Sequence, residues 1–243
     1  MLSDYFKSVQ ERLALVENHE GPAMLMAAEK VAEAIQAGGI IQLFGCGHSH
    51  LLTEEVFYRA GGLVPVKPIF VEPLMLHEGA VQSSQLERKN GYASEFLDEQ
   101  DFRSGDVVFV ISTSGRNPVP VDVALAAREK GAFVIGITSL EYSGSQTSRH
   151  DTGKYLSDAV DLVIDNHSVL GDAILSYEKV EVPFGPTSTV VGSTMLNAIF
   201  ASAIKMMADA GFAPPIFLSG NIDGADAHNA RLIEKYRERI SLL

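Results

Sequence analysis

Two short segments of this chain bring hydroxyl groups and glycines together at the end of an apolar run. Val107–Ile111 leads into Ser112-Thr113-Ser114-Gly115, and Ile40–Phe44 leads into Gly45-Cys46-Gly47-His48-Ser49. A helical pattern follows each segment, and a strand, a tight turn and a helix N-terminus together can bind an anion. Either segment alone is also explained by an ordinary cap and turn. Two successive junctions of this kind favour a phosphate-binding pocket at one edge of a sheet.

The elements that must position these loops alternate between short apolar runs and helical patterns. Helices are predicted at Leu2–Val16, Pro22–Ala37, His50–Ala60, Val119–Lys130 and Thr189–Ala210, with Asn18–Gly21 breaking the first two apart. Strands are predicted at Ile40–Phe44, Val66–Val71, Val107–Ile111, Phe133–Thr138 and Val160–Ile164, the last that the pattern shows clearly. Apolar strands without polar alternation, separated by helices, indicate a parallel sheet covered on both faces. Leu74–Ser104 and Tyr142–Leu156 are the least regular segments, and the second is typical of a functional surface loop.

Composition narrows the classes of function. The 243 residues are 46% hydrophobic and carry a net charge of −12, which argues against a nucleic-acid surface. No uninterrupted apolar run has the length of a membrane span, and Cys46 is the only cysteine, so we expect a cytoplasmic protein that is not membrane-bound. His48 and His50 lack the further ligands that a metal site needs, so no metal is expected. A dinucleotide site is a weaker alternative, because His50 stands where G-x-G-x-x-G requires its last glycine.

Three motifs in the same order resemble those of the SIS (sugar isomerase) domain family. Ser112–Asn117 is similar to the family's S-x-S-G-x-T phosphate loop, and Gly45–Ser49 to its first G-x-G-x-S loop. Gly185–Thr189 is similar to the A-P-T-S-S-T segment of arabinose-5-phosphate isomerases. The runs S-G-R-N, I-D-N, G-D-A and N-x-D-G-A-D most resemble a phosphoheptose-isomerase-like group of SIS proteins. The chain is therefore expected to be one SIS domain, with a helical extension over residues 1–37, a core over 38–212 and a C-terminal helical segment over 213–243.

The resemblance implies a fold, an assembly and a set of binding residues. The fold is a flavodoxin-like three-layer αβα sandwich with a five-stranded parallel sheet, preceded by N-terminal helices. The assembly is a homodimer or homotetramer with sites near subunit contacts, and the unpartnered N-terminal helices are expected to form the interface. The ligand is a phosphorylated sugar. By the same resemblance, the phosphate-binding and sugar-binding residues are Gly47, Ser49, Ser112, Thr113, Ser114, Asn117, Thr187, Ser188 and Thr189, with Asn117 replacing the family's usual threonine.

Catalytic groups are harder to place, because the acids of the related isomerases have no counterparts at the matching positions. An aldose–ketose isomerase needs a base near C2 and an acid or base to open the ring. His77 and Glu78 follow the second strand and are candidates, although a solvated polar loop explains them equally well. His228 is a third, placed by Asp226 as a predicted N-cap in the first turn of the last helix, where the dipole favours a neutral imidazole.

Three classes of function follow from these observations. The leading one is a phosphosugar isomerase that uses no redox cofactor. A non-catalytic phosphosugar sensor would keep the same binding loops and regulate a partner, and the missing family bases favour it. An oligomeric scaffold would need neither the binding loops nor the catalytic bases, and the presence of both hydroxyl-rich loops counts against it.

Overall fold

The computed structural model describes residues 1–243, and five parallel strands form its centre. The strands are β1 (Ile41–Gly45), β2 (Val66–Pro68), β3 (Val107–Ile111), β4 (Phe133–Thr138) and β5 (Leu162–Asp165). They lie in the order β2-β1-β3-β4-β5, and every neighbouring pair is parallel. Most of their side chains are buried on both faces, as expected for strands without polar alternation. The predicted parallel sheet is confirmed.

Nine α-helices surround the sheet. They are α1 (Leu2–Gln36), α2 (His50–Glu55), α3 (Leu76–Leu86), α4 (Ser94–Leu97), α5 (Pro118–Glu129), α6 (Leu140–Gly144), α7 (Leu156–Ala159), α8 (Ser188–Asp209) and α9 (Ala225–Tyr236). On one face, α1 and α8 pack against strand residues such as Phe109. On the other face, α4, α5 and α7 pack against the alternate strand residues, such as Val108. Two cores on opposite faces of one sheet make the three-layer αβα sandwich that the sequence predicts.

The N-terminal segment is one helix of 35 residues, so the prediction of two helices with a break at Asn18–Gly21 is wrong. Pro22 lies inside α1, where its ring removes one backbone donor. Residues on both sides of Pro22 are nevertheless buried in one core, Val16 before it and Ala27 and Ala28 after it. Packing along the whole length of α1 outweighs the local cost of the proline.

Other boundaries also differ from the sequence-based prediction. Helix α2 ends at Glu55 rather than Ala60, and the chain then turns through Tyr58, whose φ is 44°. Helix α9 begins after Gly224, which is the N-cap with a φ of 84°, so Asp226 lies in the first turn and is not the cap. Leu74–Ser104, which gave no clear pattern, contains α3 and α4.

A β-hairpin follows β5 and was not predicted. Its antiparallel strands are β6 (Leu175–Tyr177) and β7 (Val180–Phe184), which pair with each other and not with the central sheet. Val182 is 66% exposed. Such exposure of a small two-stranded sheet gives little burial pattern to read from sequence.

Helix α8 is the one helix whose length and composition would suit a membrane span. Eight of its residues are buried, among them Met195, Ile199 and Phe200, and they pack in the core shared with α1 and the sheet. This is the environment of a core helix, which passes the same test of length and composition.

Candidate functional site

The strand order places the two hydroxyl-rich loops side by side. The chain leaves β1 towards β2 on one side and returns to β3 on the other, so the loops after β1 and β3 flank the point where the direction of winding reverses. A cavity of about 240 Å³ lies there. Its lining includes Cys46, His48, Ser49, Ser112, Thr113, Ser114, Asn117, Glu87, Asp172 and Ser188.

The loop after β3 is a tight turn that leaves several backbone donors free. Gly115 has a φ of 60°, and its N–H donates to the carbonyl of Ser112 at 3.0 Å. A Cβ on Gly115 would lie 2.5 Å from Oγ1 of Thr138, so only glycine fits. The N–H groups of Thr113, Ser114, Arg116 and Asn117 donate to no group in the protein. Free donors of this kind around a concave turn are suited to an oxyanion.

The first turn of α5 contributes fewer donors than the sequence suggests. Pro118 and Pro120 have no N–H, and the N–H of Val119 donates to the backbone oxygen of Glu87 at 3.4 Å. The first three residues of α5 therefore offer no free N–H group to an anion. The free donors belong to the turn that precedes the helix, while the positive end of the helix dipole still points towards the cavity wall.

The loop after β1 is equally compact. Gly47 has a φ of 56°, and the N–H of Ser49 donates to the carbonyl of Cys46 at 3.0 Å. A Cβ on Gly45 would lie 2.6 Å from the backbone of Ser49, so the turn requires glycine there as well. The loop brings His48 and Ser49 to the cavity, whereas His50 is buried with Nδ1 hydrogen-bonded to the carbonyl of Gly47.

Glu87 is the carboxylate that the loops surround. It follows α3 and accepts a hydrogen bond from Nδ2 of Asn117 at 2.9 Å, and Oδ1 of Asn117 accepts from Arg149 at 2.9 Å. Burial raises the pKa of the Glu87 carboxyl above its usual value, while the nearby cations Arg88 and Arg149 oppose that rise. A carboxyl with a raised pKa in a cavity is suited to proton transfer.

Cys46 lies in the same cavity wall and is buried. Burial, and to a smaller extent the Glu87 carboxylate, raises the pKa of its thiol well above the usual value. The thiol is therefore protonated at neutral pH and packs as a small apolar group rather than as a nucleophile.

Asp172 closes the cavity beside the N-terminus of α8. Its Oδ1 accepts from the backbone N–H groups of Thr187 and Ser188, both at 3.0 Å, and its carboxylate also accepts from both hydroxyls. Of the three residues predicted at the sugar end, Ser188 lines the cavity, Thr187 is buried and Thr189 is exposed. The hydroxyls of Ser188 and Thr187 already donate hydrogen bonds to Asp172.

The three predicted catalytic residues lie outside this cavity. His77 and Glu78 begin α3 and are 62% and 51% exposed, with Nε2 and Oε1 3.6 Å apart. His228 lies in α9, where its Nε2 is 2.9 Å from the carbonyl of Ile216. Because a carbonyl only accepts, Nε2 of His228 carries the proton. The His77 ring lies 6.3 Å from that of His50, which directly follows the loop after β1, whereas His228 contacts neither phosphate loop within one chain.

Sequence reasoning missed Glu87 and Asp172. Glu87 ends a helix within the segment that gave no clear pattern, so nothing local distinguished it from a solvated glutamate. Asp172 belongs to the Gly171-Asp172-Ala173 run that carried part of the family resemblance, which was the available signal.

The model of the SIS domain family matches residues 4–139, which is more than half of the chain, and the chain belongs to this family. The resemblance seen in the motifs is thereby confirmed. A UPF0309 protein of Halalkalibacterium halodurans is 70% identical over all of this chain and 97% of its own length. A UPF0309 protein of Listeria monocytogenes is 58% identical over all of this chain and 98% of its own.

Solved structures with the same fold are distant in sequence. A phosphoheptose isomerase from Francisella tularensis superposes with a TM-score of 0.55 at 15% identity, covering 84% of this chain and 96% of that one. The NanR protein of Vibrio vulnificus, complexed with ManNAc-6P, gives a TM-score of 0.54 at 14% identity, covering 96% of this chain and 67% of that one. At these identities the comparison establishes the fold alone.

Proposed function

We propose that the protein binds a phosphorylated sugar at the junction of β1 and β3 and isomerises it between aldose and ketose forms. One observation carries the proposal: the residues with free backbone N–H groups Thr113, Ser114 and Asn117, and the hydroxyls of two loops, line one cavity that also contains the half-buried carboxyl of Glu87. The fold supports the proposal, because one protein of similar fold, NanR, is complexed with ManNAc-6P and another is a phosphoheptose isomerase.

The phosphate would be held by the turn Ser112–Asn117. Its free N–H groups and the hydroxyl of Ser114 would donate from one side, and the hydroxyl of Ser49 from the other. The net charge of −12 does not oppose this, because backbone donors and a helix dipole act over a few ångströms only. A non-covalent site of this kind requires no metal or redox cofactor for the reaction proposed.

Glu87 is the proposed base. Its carboxylate would remove the proton from C2 of the open-chain aldose while the carbonyl oxygen at C1 gains a proton, which gives an enediol. The same carboxyl would then return its proton to C1 as the hydroxyl at C2 loses one, which gives the ketose. His48 is the proposed group for ring opening and for the oxygen protons, because it lines the same cavity.

His77, Glu78 and His228 stay predictions as catalytic groups. His77 and Glu78 lie close to the loop after β1 of their own chain, whereas His228 would reach a bound sugar through a second copy that places it at the cavity of the first. A homodimer or homotetramer is accordingly part of the proposal, and the exposed apolar residues of α1 support it.

Two measurements test the function. A thermal-shift screen of sugar phosphates, with inorganic phosphate as the control, identifies ligands that bind the native state. Incubation of each ligand with the protein in D2O then reports exchange of its C2 proton by NMR. We expect Glu87→Gln to slow this exchange by about 10²–10⁴-fold while ligand binding persists.

The comparison with Glu78→Gln and His228→Ala assigns the base. Wild-type rates in both variants, with loss in Glu87→Gln, would support Glu87 and exclude Glu78 and His228 as the base. Binding without exchange across a broad panel would replace the isomerase by the phosphosugar sensor.

A further inference from the structure

A chain of hydrogen bonds runs from the long loop after α6 to the carboxyl of Glu87. Nη1 of Arg149 donates to Oδ1 of Asn117, and Nδ2 of Asn117 donates to Oε1 of Glu87, both at 2.9 Å. A guanidinium can only donate, so it fixes which end of the Asn117 amide is the oxygen. The amide nitrogen must then face Glu87 and always acts as a donor to it.

This orientation has a consequence for the two oxygens of Glu87. Since Oε1 receives the amide hydrogen, it serves as an acceptor whether the carboxyl is ionised or protonated. A proton taken up by Glu87 therefore resides on Oε2, which has no hydrogen-bond partner in the protein. Resting on the function proposed above, we infer that Arg149 and Asn117 are positioning residues that reserve Oε2 of Glu87 for proton transfer and stabilise its ionised form.

The charges around Glu87 agree with this role. Arg149 faces it from the long loop and Arg88 from its own segment, and both lower the pKa of a carboxyl that burial raises. The thiol of Cys46 lies on the β1 side, and Asp172 and His48 line the same cavity. Removal of Arg149 would take away the stabilising cation, and removal of the Asn117 amide would take away the hydrogen bond to the charged form.

The loop that carries Arg149 is fixed in place. The N–H of Arg149 donates to the carbonyl of Arg116 at 2.8 Å, and its own carbonyl accepts from the side chain of Asn90 at 3.0 Å. The next residue, His150, is buried with Nε2 3.0 Å from a carboxylate oxygen of Asp122 in α5. These bonds hold the backbone of the loop, so a substitution of the Arg149 side chain leaves the loop attached.

The two hydrogen bonds from Arg149 to Asn117 and from Asn117 to Glu87 also explain why an asparagine suits position 117. The threonine usual at the matching family position has one oxygen, which would have to meet both partners. The amide offers separate atoms to Arg149 and to Glu87, and so spans the distance between them.

The test measures the pKa of Glu87 directly, without a substrate. In protein labelled with ¹³C at glutamate Cδ, the signal absent from Glu87→Gln identifies Glu87, and its shift is followed against pH. We expect Arg149→Ala and Asn117→Ala each to raise this pKa by about 1 unit, because each removes a group that favours the carboxylate. Arg149→Lys should keep the pKa closer to the wild-type value than Arg149→Ala does, because lysine retains the positive charge but lacks the planar guanidinium that bonds Asn117.

Arg128→Ala is the matched control, because Arg128 is at the far end of α5 and pairs with Asp161. It should leave the pKa of Glu87 unchanged. In the D2O exchange assay, the acidic limb of the pH profile should move to higher pH in Arg149→Ala and Asn117→Ala by the same amount as the pKa.

The outcomes separate this inference from the proposed function. An unchanged pKa of Glu87 in folded Asn117→Ala and Arg149→Ala, checked by near-UV circular dichroism, overturns the positioning role. Shifted pKa values in a protein that exchanges no sugar proton confirm the hydrogen-bonded chain and reject the isomerase.

Discussion

At the residue scale, the conformation of Gly115 sets the shape of the candidate phosphate loop. Its positive φ and its closeness to Thr138 and Ser143 leave no room for a side chain. We expect Gly115→Ala to lower the free energy of unfolding by about 1–3 kcal/mol and to weaken binding of inorganic phosphate. Urea unfolding and isothermal titration with phosphate measure the two effects.

Gly144→Ala is the control for this substitution. Gly144 lies at the end of α6, where a Cβ would meet no atom within 4 Å. The alanine should leave both stability and phosphate binding close to wild type. Equal phosphate affinity in the Gly115 and Gly144 variants would contradict a phosphate site in this turn.

A second residue-scale prediction concerns pH. Because burial raises the pKa of Glu87, its carboxylate form, which is the base, is lost as pH falls through that raised value. The exchange rate at C2 should therefore rise with pH along an acidic limb that lies above the usual range of a glutamate. An acidic limb that is unchanged in Cys46→Ala would exclude the thiol as its source, and a limb that moves to higher pH in Arg149→Ala would assign it to Glu87.

At the element scale, α1 is a single helix that tolerates a glycine and a proline in its middle. A Cβ on Gly21 would meet no atom within 4 Å, and the backbone there is helical. We expect Gly21→Ala to raise the free energy of unfolding by about 1 kcal/mol, since alanine restricts the unfolded chain and favours the helix. Urea unfolding monitored by circular dichroism measures the change.

Gly38→Ala provides the opposite case. Gly38 follows the end of the same helix with a φ of 86°, and a Cβ there would also meet no atom. The alanine should lower stability by about 1 kcal/mol through the left-handed backbone alone. Equal changes of the same sign in both variants would mean that Gly21 is not helical in solution, as the two-helix prediction held.

At the scale of the whole molecule, α1 exposes apolar side chains that a second copy could cover. Leu25 and Met26 are 54% and 48% exposed, and a groove of about 500 Å³ lies between α1 and α8. We expect light scattering to give at least 52.4 kDa, which is twice the chain mass of 26.2 kDa. Removal of these apolar side chains from water would drive the association of two copies.

A charge in the groove should weaken the assembly. Leu25→Glu places a carboxylate on the apolar face and should shift the mass towards the monomer. Val81→Glu introduces the same charge on α3, at an exposed position away from the groove, and should leave the mass unchanged. A monomeric wild-type protein at micromolar concentration would refute the oligomer and, with it, any catalytic part for His228.

The sequence by itself determined the features that depend on local pattern. The bounds of β3 and β4 match those predicted, because an uninterrupted apolar run between turn-forming residues defines a buried strand without reference to the rest of the chain. The glycines and hydroxyls of the loops after β1 and β3 were equally visible. Together with the order of the motifs, these residues were sufficient to predict the family and its fold.

The tertiary structure alone decided what depends on partners far apart in the sequence. Asn117 meets Glu87 and Arg149 across 30 and 32 positions, and neither pairing leaves a periodic signal. The same holds for α1, whose continuity through Pro22 comes from packing along its length against the sheet and α8. Partial burial and the hydrogen bond from Asn117 distinguish Glu87 from a surface glutamate, and both arise only when the loops after β1 and β3 close around it.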